Sequence, residues 1–290
     1  MKQCIFCGEI FSKVSWLCPV CNNAPPIVND FLAFSKELAE VNDGFDPASF
    51  TKLVELESRN FWFRSRNSII IWCIHKYFKQ AKTFLEIGCR TGFVLSGIEK
   101  AFPSMFLTGS EIYTTGLSFA AKRVRNAQLL QMDARNIPFC DEFDIIGAFD
   151  VLEHIEQDNL VLSQMHKAVR KQNGGIIITV PQHKFLWSQS DEAACHVRRY
   201  SSKELIQKVE GAGFTILKAT SFVSLLFPLM VFSRLLTRGS KNRIDSELDL
   251  GSLTNSIFEK VLLFEHSCIK KGVSFPVGGS LLIVATANQD

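Results

Sequence analysis

The sequence predicts an α/β fold on an open parallel sheet, and three observations predict it. First, Phe84-Leu85-Glu86-Ile87-Gly88-Cys89-Arg90-Thr91-Gly92 is an apolar run closing on an acid and a glycine turn, the pattern by which a parallel strand hands a nucleotide to the next helix, here 93–101. Second, three further apolar strands, at 105–109, 128–132 and 143–149, end at Glu111, Asp133 and Asp150. In an open parallel sheet such ends gather at the carboxyl edge, where ligands bind. Third, Glu111 follows the first glycine by about twenty residues, where such folds place an acid on ribose hydroxyls. Taken singly, each acid also reads as the cap of the next helix.

The elements follow in order. Cys4-x2-Cys7 and Cys18-x2-Cys21 stand ten residues apart, with Gly8 after one pair and Pro19 inside the other. Two tight knuckles offering four thiolates predict a structural Zn2+ site with no open position, in a zinc ribbon over residues 1–25. So short a segment cannot bury its own core, so the metal supplies its folding energy. The opposing reading, a disulfide or redox pair, lacks secretory context, since Met1-Lys2-Gln3-Cys4 shows no basic and apolar leader. The expectation is a cytoplasmic chain. Cys73, Cys89, Cys140, Cys195 and Cys268 are scattered and read as ordinary reduced cysteines. Residues 26–54 read as a linker with a short helix over 31–41. The box Phe61-Trp62-Phe63-Arg64 precedes a helix over 67–78 and reads either as core packing or as a lid on a bound ligand.

Residues 159–170 form an amphipathic helix stopped by Asn173-Gly174-Gly175, before a fifth strand over 176–180. Ser201-Ser202-Lys203-Glu204 predicts a capping box opening a helix to about Ala212, with Gly213 before a sixth strand near 214–217. An insertion over about 222–272 begins with the almost wholly apolar run 222–236, which contains Pro228. Arg234 stands near its end, and Arg238, Lys241 and Arg243 follow. This run is too short to span a bilayer. It suits either a membrane interface meeting anionic headgroups through 222–243, or burial against the sheet or a second subunit. A helix over 253–269 and a last strand over 280–287 complete the chain. With 290 residues, 47% of them hydrophobic, the chain buries a sizeable core, and its net charge of +3 lacks the broad basic field of non-specific nucleic-acid binders.

At Asn60-Phe61-Trp62-Phe63-Arg64-Ser65-Arg66-Asn67, the glycine loop, Gly109-Ser110-Glu111-Ile112, Gln131-Met132-Asp133-Ala134, Phe149-Asp150-Val151-Leu152-Glu153-His154-Ile155 and His196-Val197-Arg198-Arg199-Tyr200, the chain resembles the class I S-adenosylmethionine-dependent methyltransferases, in a bacterial branch carrying the Phe-Trp-Phe-Arg box. The resemblance covers about residues 55–287, within a methyltransferase domain expected over 55–290. It implies a Rossmann-like seven-stranded sheet whose last strand runs antiparallel, with S-adenosylmethionine as cofactor. It also implies that Glu86, Gly88 and Gly92 serve the methionine end of the cofactor and Glu111 the ribose. Asp133 with Ala134 would hold the adenine, Asp150 with Val151 the methionine side, and Arg64 or Arg66 the carboxylate. The family's second loop glycine is Arg90 here. Either that side chain takes ordinary backbone angles and points to solvent or a carboxylate, or it weakens cofactor binding.

Methyl transfer needs a nucleophile placed in line with an activated methyl group, and a base is optional. His154 and His196 are candidate bases, with His183 nearby. Arg198, Arg199 and Tyr200 are candidates to bind a phosphate or carboxylate on the acceptor. His154 equally reads as a helix-start residue, and the arginines as surface ion pairs. Asp150-Val151-Leu152-Glu153 stands where enzymes that methylate exocyclic base amines carry Asn/Asp-Pro-Pro-aromatic, which argues against that chemistry. The leading expectation is methylation of a small or lipid-linked acceptor, such as a cell-envelope saccharide intermediate, by a protein peripheral at the inner membrane face. Two alternatives stand beside it: a ribosomal RNA methyltransferase, and a non-catalytic protein whose pocket Arg90 has spoiled.

Overall fold

A computed structural model describes residues 1–39, 48–236 and 250–288. Strands β1 (Lys2–Gln3) and β2 (Ile10–Phe11) pair antiparallel and carry the first cysteine knuckle. β3 (Ile27–Val28) and β4 (Phe31–Ala33) follow, then a 3-10 turn, Lys36–Leu38, and helices α1 (Ala48–Glu57) and α2 (Phe61–Tyr77). Alternation of strand and helix then gives β5 (Thr83–Ile87), α3 (Phe93–Ala101), β6 (Phe106–Glu111), α4 (Thr114–Arg123), β7 (Ala127–Gln131), β8 (Ile145–Phe149), α5 (Asp158–Ala168) and β9 (Gly175–Pro181). After them come α6 (Gln189–Ala193), α7 (Ser202–Gly211), β10 (Phe214–Phe222), α8 (Phe227–Leu236), α9 (Ser252–Lys270) and β11 (Ser280–Ala287).

The main sheet has the order β10-β11-β9-β8-β5-β6-β7-β4-β3. β5 to β9 are mutually parallel, and β11 lies antiparallel between β9 and β10. The seven expected strands are all present. β8 and β9 are buried along their whole length, as a sheet covered on both faces requires.

Two strands exceed the expected seven, and both lie in the segment read as a linker. Residues 31–33 are a strand, not a helix, because β7 has an open edge. β4 pairs with it in parallel, Leu32 opposite Leu130 and Ala33 opposite Gln131. The Gln131 side chain locks the junction, its Nε2 donating to the Ser35 carbonyl at 2.8 Å while its Oε1 accepts the Ser35 N–H at 3.0 Å. The rest of the expected helix beyond Ala39 lies outside the described residues.

α2 begins at Phe61, not Asn67, because Asn60 caps it by accepting the Trp62 N–H at 2.8 Å. The aromatic box is therefore the first turn of that helix. The capping box expected at Ser201 is half formed: its hydroxyl accepts the Glu204 N–H at 3.2 Å, but the Glu204 carboxylate turns to Lys184 at 3.2 Å. A complete capping box occurs at Ser188 and Asp191, opening α6 in a stretch expected to be loop.

The apolar insertion folds as α8 and α9. α9 packs on α2, where the Asn255 side chain accepts the Phe61 N–H at 2.7 Å and Phe258 meets the Phe61 ring at 5.3 Å. Glu265 on α9 accepts the N–H groups of Ser224 and Leu225, each at 2.7 Å, and so fixes the turn into α8. Arg238, Lys241 and Arg243 lie outside the described residues. No described helix is long and apolar enough to cross a membrane.

His266, next to Glu265, is 1% exposed with neither ring nitrogen partnered. Burial, aided by Lys270, lowers its pKa to about 4. As pH falls below about 6.5 the unfolded chain takes up a proton that the native state refuses, so this residue destabilises the fold on acidification. His266→Leu is expected to raise the unfolding free energy relative to wild type by about 2 kcal/mol more at pH 5 than at pH 7. Urea unfolding at the two pH values checks this, and an equal difference at both would contradict it.

Candidate active site

The carboxyl edge of β5, β6 and β8 forms the crevice. Glu86 at the end of β5 is 3% exposed and its Oε2 has no hydrogen-bond partner; burial raises its pKa well above the ordinary carboxyl value. A buried, unpartnered carboxyl oxygen calls for a donor from outside the chain. Gly88 has φ +68, and a Cβ there would stand 2.6 Å from Val151 Cγ2, so the turn is built for close backbone approach. Gly92, at φ +73, opens α3.

Arg90 takes the left-handed φ of +48, contrary to the ordinary angles of the first reading. Its side chain points inward across the crevice, with Nη2 2.8 Å from His154 Nε2 and 3.3 Å from the Asp150 carbonyl. Its N–H donates to Glu111 Oε2 at 3.0 Å, and Glu111 Oε1 accepts the Ile112 N–H at 2.8 Å. Asp150, also at positive φ (+56), pairs through Oδ2 with Arg66, and Thr179 Oγ1 donates to the same oxygen at 3.3 Å. With His183 (φ +65), Cys195 (φ +55) and Val223 (φ +59), five strained non-glycine residues gather at this edge, the kind of clustering that marks functional sites. Asp133 is held by Arg135 through Nε and Nη2, beside buried Ala134.

The crevice is closed in this conformation. Phe63, Arg66, Arg90 and Phe93 fill it, leaving a cavity of about 20 Å³ against the roughly 300 Å³ or more of small-ligand sites. The cover is latched by Glu57 at the end of α1: its Oε2 accepts from Thr91 Oγ1 at 2.6 Å and from Arg123 Nη1 at 2.5 Å. Neither Arg123 nor Glu57 was among the residues expected from sequence.

Arg64 does not reach the crevice. It pairs with Glu259 on α9 and lines an outer groove with Ser68 and Trp72. Arg66, two residues on, stacks over the Trp62 ring at 4.5 Å and enters the crevice. Arg66→Ala is therefore expected to weaken cofactor binding by about tenfold or more, the worth of one charge-assisted hydrogen bond, and Arg64→Ala to leave it unchanged. Titration calorimetry of both variants checks this; the reverse ranking would assign the role to Arg64 instead.

His154 and His196 are brought together, ring centroids 4.7 Å apart. Burial and the Arg90 charge lower the His154 pKa to about 2, so its ring is neutral and accepts from Arg90. That proximity removes the simplest role for His154 as a base while Arg90 stays in place. His183 sits at the edge of the same region, against Phe185 and Phe227.

Three residues expected to bind the acceptor hold the loop instead. Arg198 pairs with Asp158 at 2.8 Å, and Arg199 Nε donates to Asp191 at 2.7 Å. The fully buried Tyr200 donates its hydroxyl to Asp158 Oδ2 at 2.7 Å. Their polar groups are engaged by carboxylates that are themselves nearly buried, and Arg199 and Tyr200 are buried with them, while Arg198 stays partly exposed.

On the opposite flank the four cysteine sulfurs lie within 4.8 Å of one another, with Cys4 Sγ to Cys21 Sγ and Cys7 Sγ to Cys18 Sγ both 3.6 Å. Tetrahedral bonds of about 2.3 Å to one ion give that spacing. All four are free thiols, which excludes the disulfide reading for this structure. The cluster is docked, not tethered: Trp16 packs edge-on against Phe34 at 4.5 Å and Phe139 at 5.4 Å, within the main core.

The profile of a methyltransferase-domain family matches residues 60–219. No curated protein matches the chain in sequence. Among solved structures, a chain from the complex between the Haloferax volcanii Trm112 methyltransferase activator and a putative methyltransferase is similar at TM-score 0.55 and 14% identity, covering 87% of this chain and 99% of that one. A Haemonchus contortus phosphoethanolamine N-methyltransferase 2 in complex with S-adenosylmethionine is similar at TM-score 0.58 and 14% identity, covering 86% and 59%. A Thermotoga maritima S-adenosylmethionine-dependent methyltransferase is similar at 0.51 and 15%, covering 84% and 95%.

Proposed function

We propose, from the premise that this chain belongs to the methyltransferase-domain family and is an S-adenosylmethionine-dependent methyltransferase, that it methylates a small or lipid-linked acceptor taken up at a membrane surface. Bound S-adenosylmethionine supplies an activated methyl group on a good leaving group. The residues fit that cofactor: Glu86 offers an unpartnered buried carboxyl oxygen, Gly88 a cradle that a side chain would fill, and Glu111 and Asp133 stand at successive strand ends. Binding requires Arg66, Arg90 and Phe63 to withdraw. Arg66 then stays close enough to meet the cofactor's carboxylate, and α1 closes over it through the Glu57 latch. The four cysteines hold a structural zinc ion.

One observation carries the acceptor assignment. Leu225, Leu229 and Phe232 are exposed on and before α8, and Leu253, Ile257 and Phe264 on α9. α8 starts at Phe227, whose ring lies 5.2 Å from His183 at the carboxyl edge. An apolar surface thus begins at the mouth of the acceptor side, as an interfacial helix delivering a lipid-linked substrate requires. The Haemonchus protein's phosphoethanolamine acceptor supports a small, headgroup-like substrate class. Flotation with anionic phospholipid vesicles, compared between wild type and Leu229→Ser/Phe232→Ser, tests the reading. Binding lost in the variant supports it. Failure of wild type to float, with methyl transfer to a water-soluble acceptor or to ribosomal RNA, would overturn it.

A further inference from the structure

Next to the crevice, Glu153 and His154 follow β8 and His196 follows α6. One ligand atom from each lies within 4.8 Å of the others. Glu153 is fully buried, and neither carboxylate oxygen has a hydrogen-bond partner, an arrangement that costs several kcal/mol unless a proton or cation compensates it. His196 Nδ1 is bound to Asp191 Oδ1 at 2.8 Å. That contact directs the ring's Nε2 lone pair toward Glu153 Oε1, 4.0 Å away. His196 Nε2 thus faces a buried carboxyl, a pair that a shared proton or a cation would satisfy. Asp191 is itself anchored by Arg199 Nε at 2.7 Å and by the Ser188 N–H at 2.9 Å. A ring oriented at one nitrogen by a fixed carboxylate is how metal-ligating histidines are held, and here the other nitrogen faces the buried Glu153. On the third side the Arg90 guanidinium approaches His154 Nε2 at 2.8 Å, so a positive group already stands at the mouth of the cluster.

We propose that Glu153, His154 and His196 form a binding site for a first-row divalent cation such as Mn2+, Fe2+, Co2+ or Zn2+, with Arg90 as the displaceable cation that occupies its mouth. Two imidazoles and one carboxylate suit those ions better than Mg2+ or Ca2+, which prefer oxygen. The site is separate from the four cysteines, which offer only sulfur. Three protein ligands leave coordination positions for an oxygen-bearing acceptor at the carboxyl edge, a role that rests on the methyl-transfer reading; the cation site itself does not.

The test uses the full chain with zinc already in its cysteine cluster, titrated with Mn2+ and followed by the electron paramagnetic resonance of the free ion. One saturable site per chain is expected. Affinity should fall at least about tenfold in Glu153→Gln, in His196→Ala and in the positioning variant Asp191→Asn. It should rise in Arg90→Ala, a partly exposed side chain whose removal leaves the core intact. Absence of saturable binding in wild type, unchanged affinity in His196→Ala, or no tightening in Arg90→Ala would each overturn the site. Calorimetry with S-adenosylmethionine on the same preparation keeps the two readings apart, since cofactor binding without Mn2+ binding removes only the cation site.

Discussion

Gly88→Ala is expected to abolish measurable S-adenosylmethionine binding while leaving most of the fold in place. At φ +68 a Cβ is strained by about 1–3 kcal/mol, and here it would also meet Val151 Cγ2 at 2.6 Å. The loop or the Asp150-Val151 segment must shift, and the backbone can no longer approach the cofactor closely at this turn. Calorimetry reads the loss, and circular dichroism confirms that the sheet survives. Retained affinity would mean that the cofactor does not approach this turn, and the assignment of Glu86 would fall with it.

Cys18→Ser carries the other large effect. Cys18 is fully buried and shares a core cluster with Trp16, Phe34 and Phe139. Structural zinc contributes on the order of 10 kcal/mol to the folding of small domains, and three thiolates hold it far less well than four. The variant is expected to purify without zinc at the cysteine cluster and to expose Trp16, shifting its fluorescence to longer wavelength. Even a loss of about 3 kcal/mol lowers the thermal midpoint by roughly 6–12 °C. Metal analysis and thermal denaturation check both. Full zinc content and an unchanged midpoint would show that the cysteines are not a metal centre.

What was legible in the sequence was short-range. The glycine loop, the acids ending β5, β6 and β8, and the paired cysteines each declare themselves within a few residues, because one strand end or one ion imposes the spacing. The antiparallel β11 came from family likeness alone. Phase was harder. Placing the start of α2 at Asn67 and not Phe61 left the helical rotation of Arg64 and Arg66 undetermined, and residues two apart on a helix face nearly opposite ways. That is why the sequence offers Arg64 and Arg66 alike, and only the fold shows that Arg66 does the reaching. Strands of two and three residues, such as β3 and β4, are too short to show a period and exist only because β7 offers an edge. Arg198, Arg199 and Tyr200 looked like anion receptors since Asp158 stands some forty residues away and Asp191 lies behind an unrecognised helix; only folding shows that their charges are already answered.

The cysteine cluster has a reach beyond its own residues. Through Trp16 and Phe139 it shares a continuous core with Ala134 and Ile137, the wall just past β7 where an adenine ring would rest, and β4 stitches the same flank to the sheet. Variants that break the cluster would therefore loosen one side of the nucleotide berth without touching the glycine turn, so that donor affinity becomes a readout of the integrity of four thiols some distance from the reacting atoms.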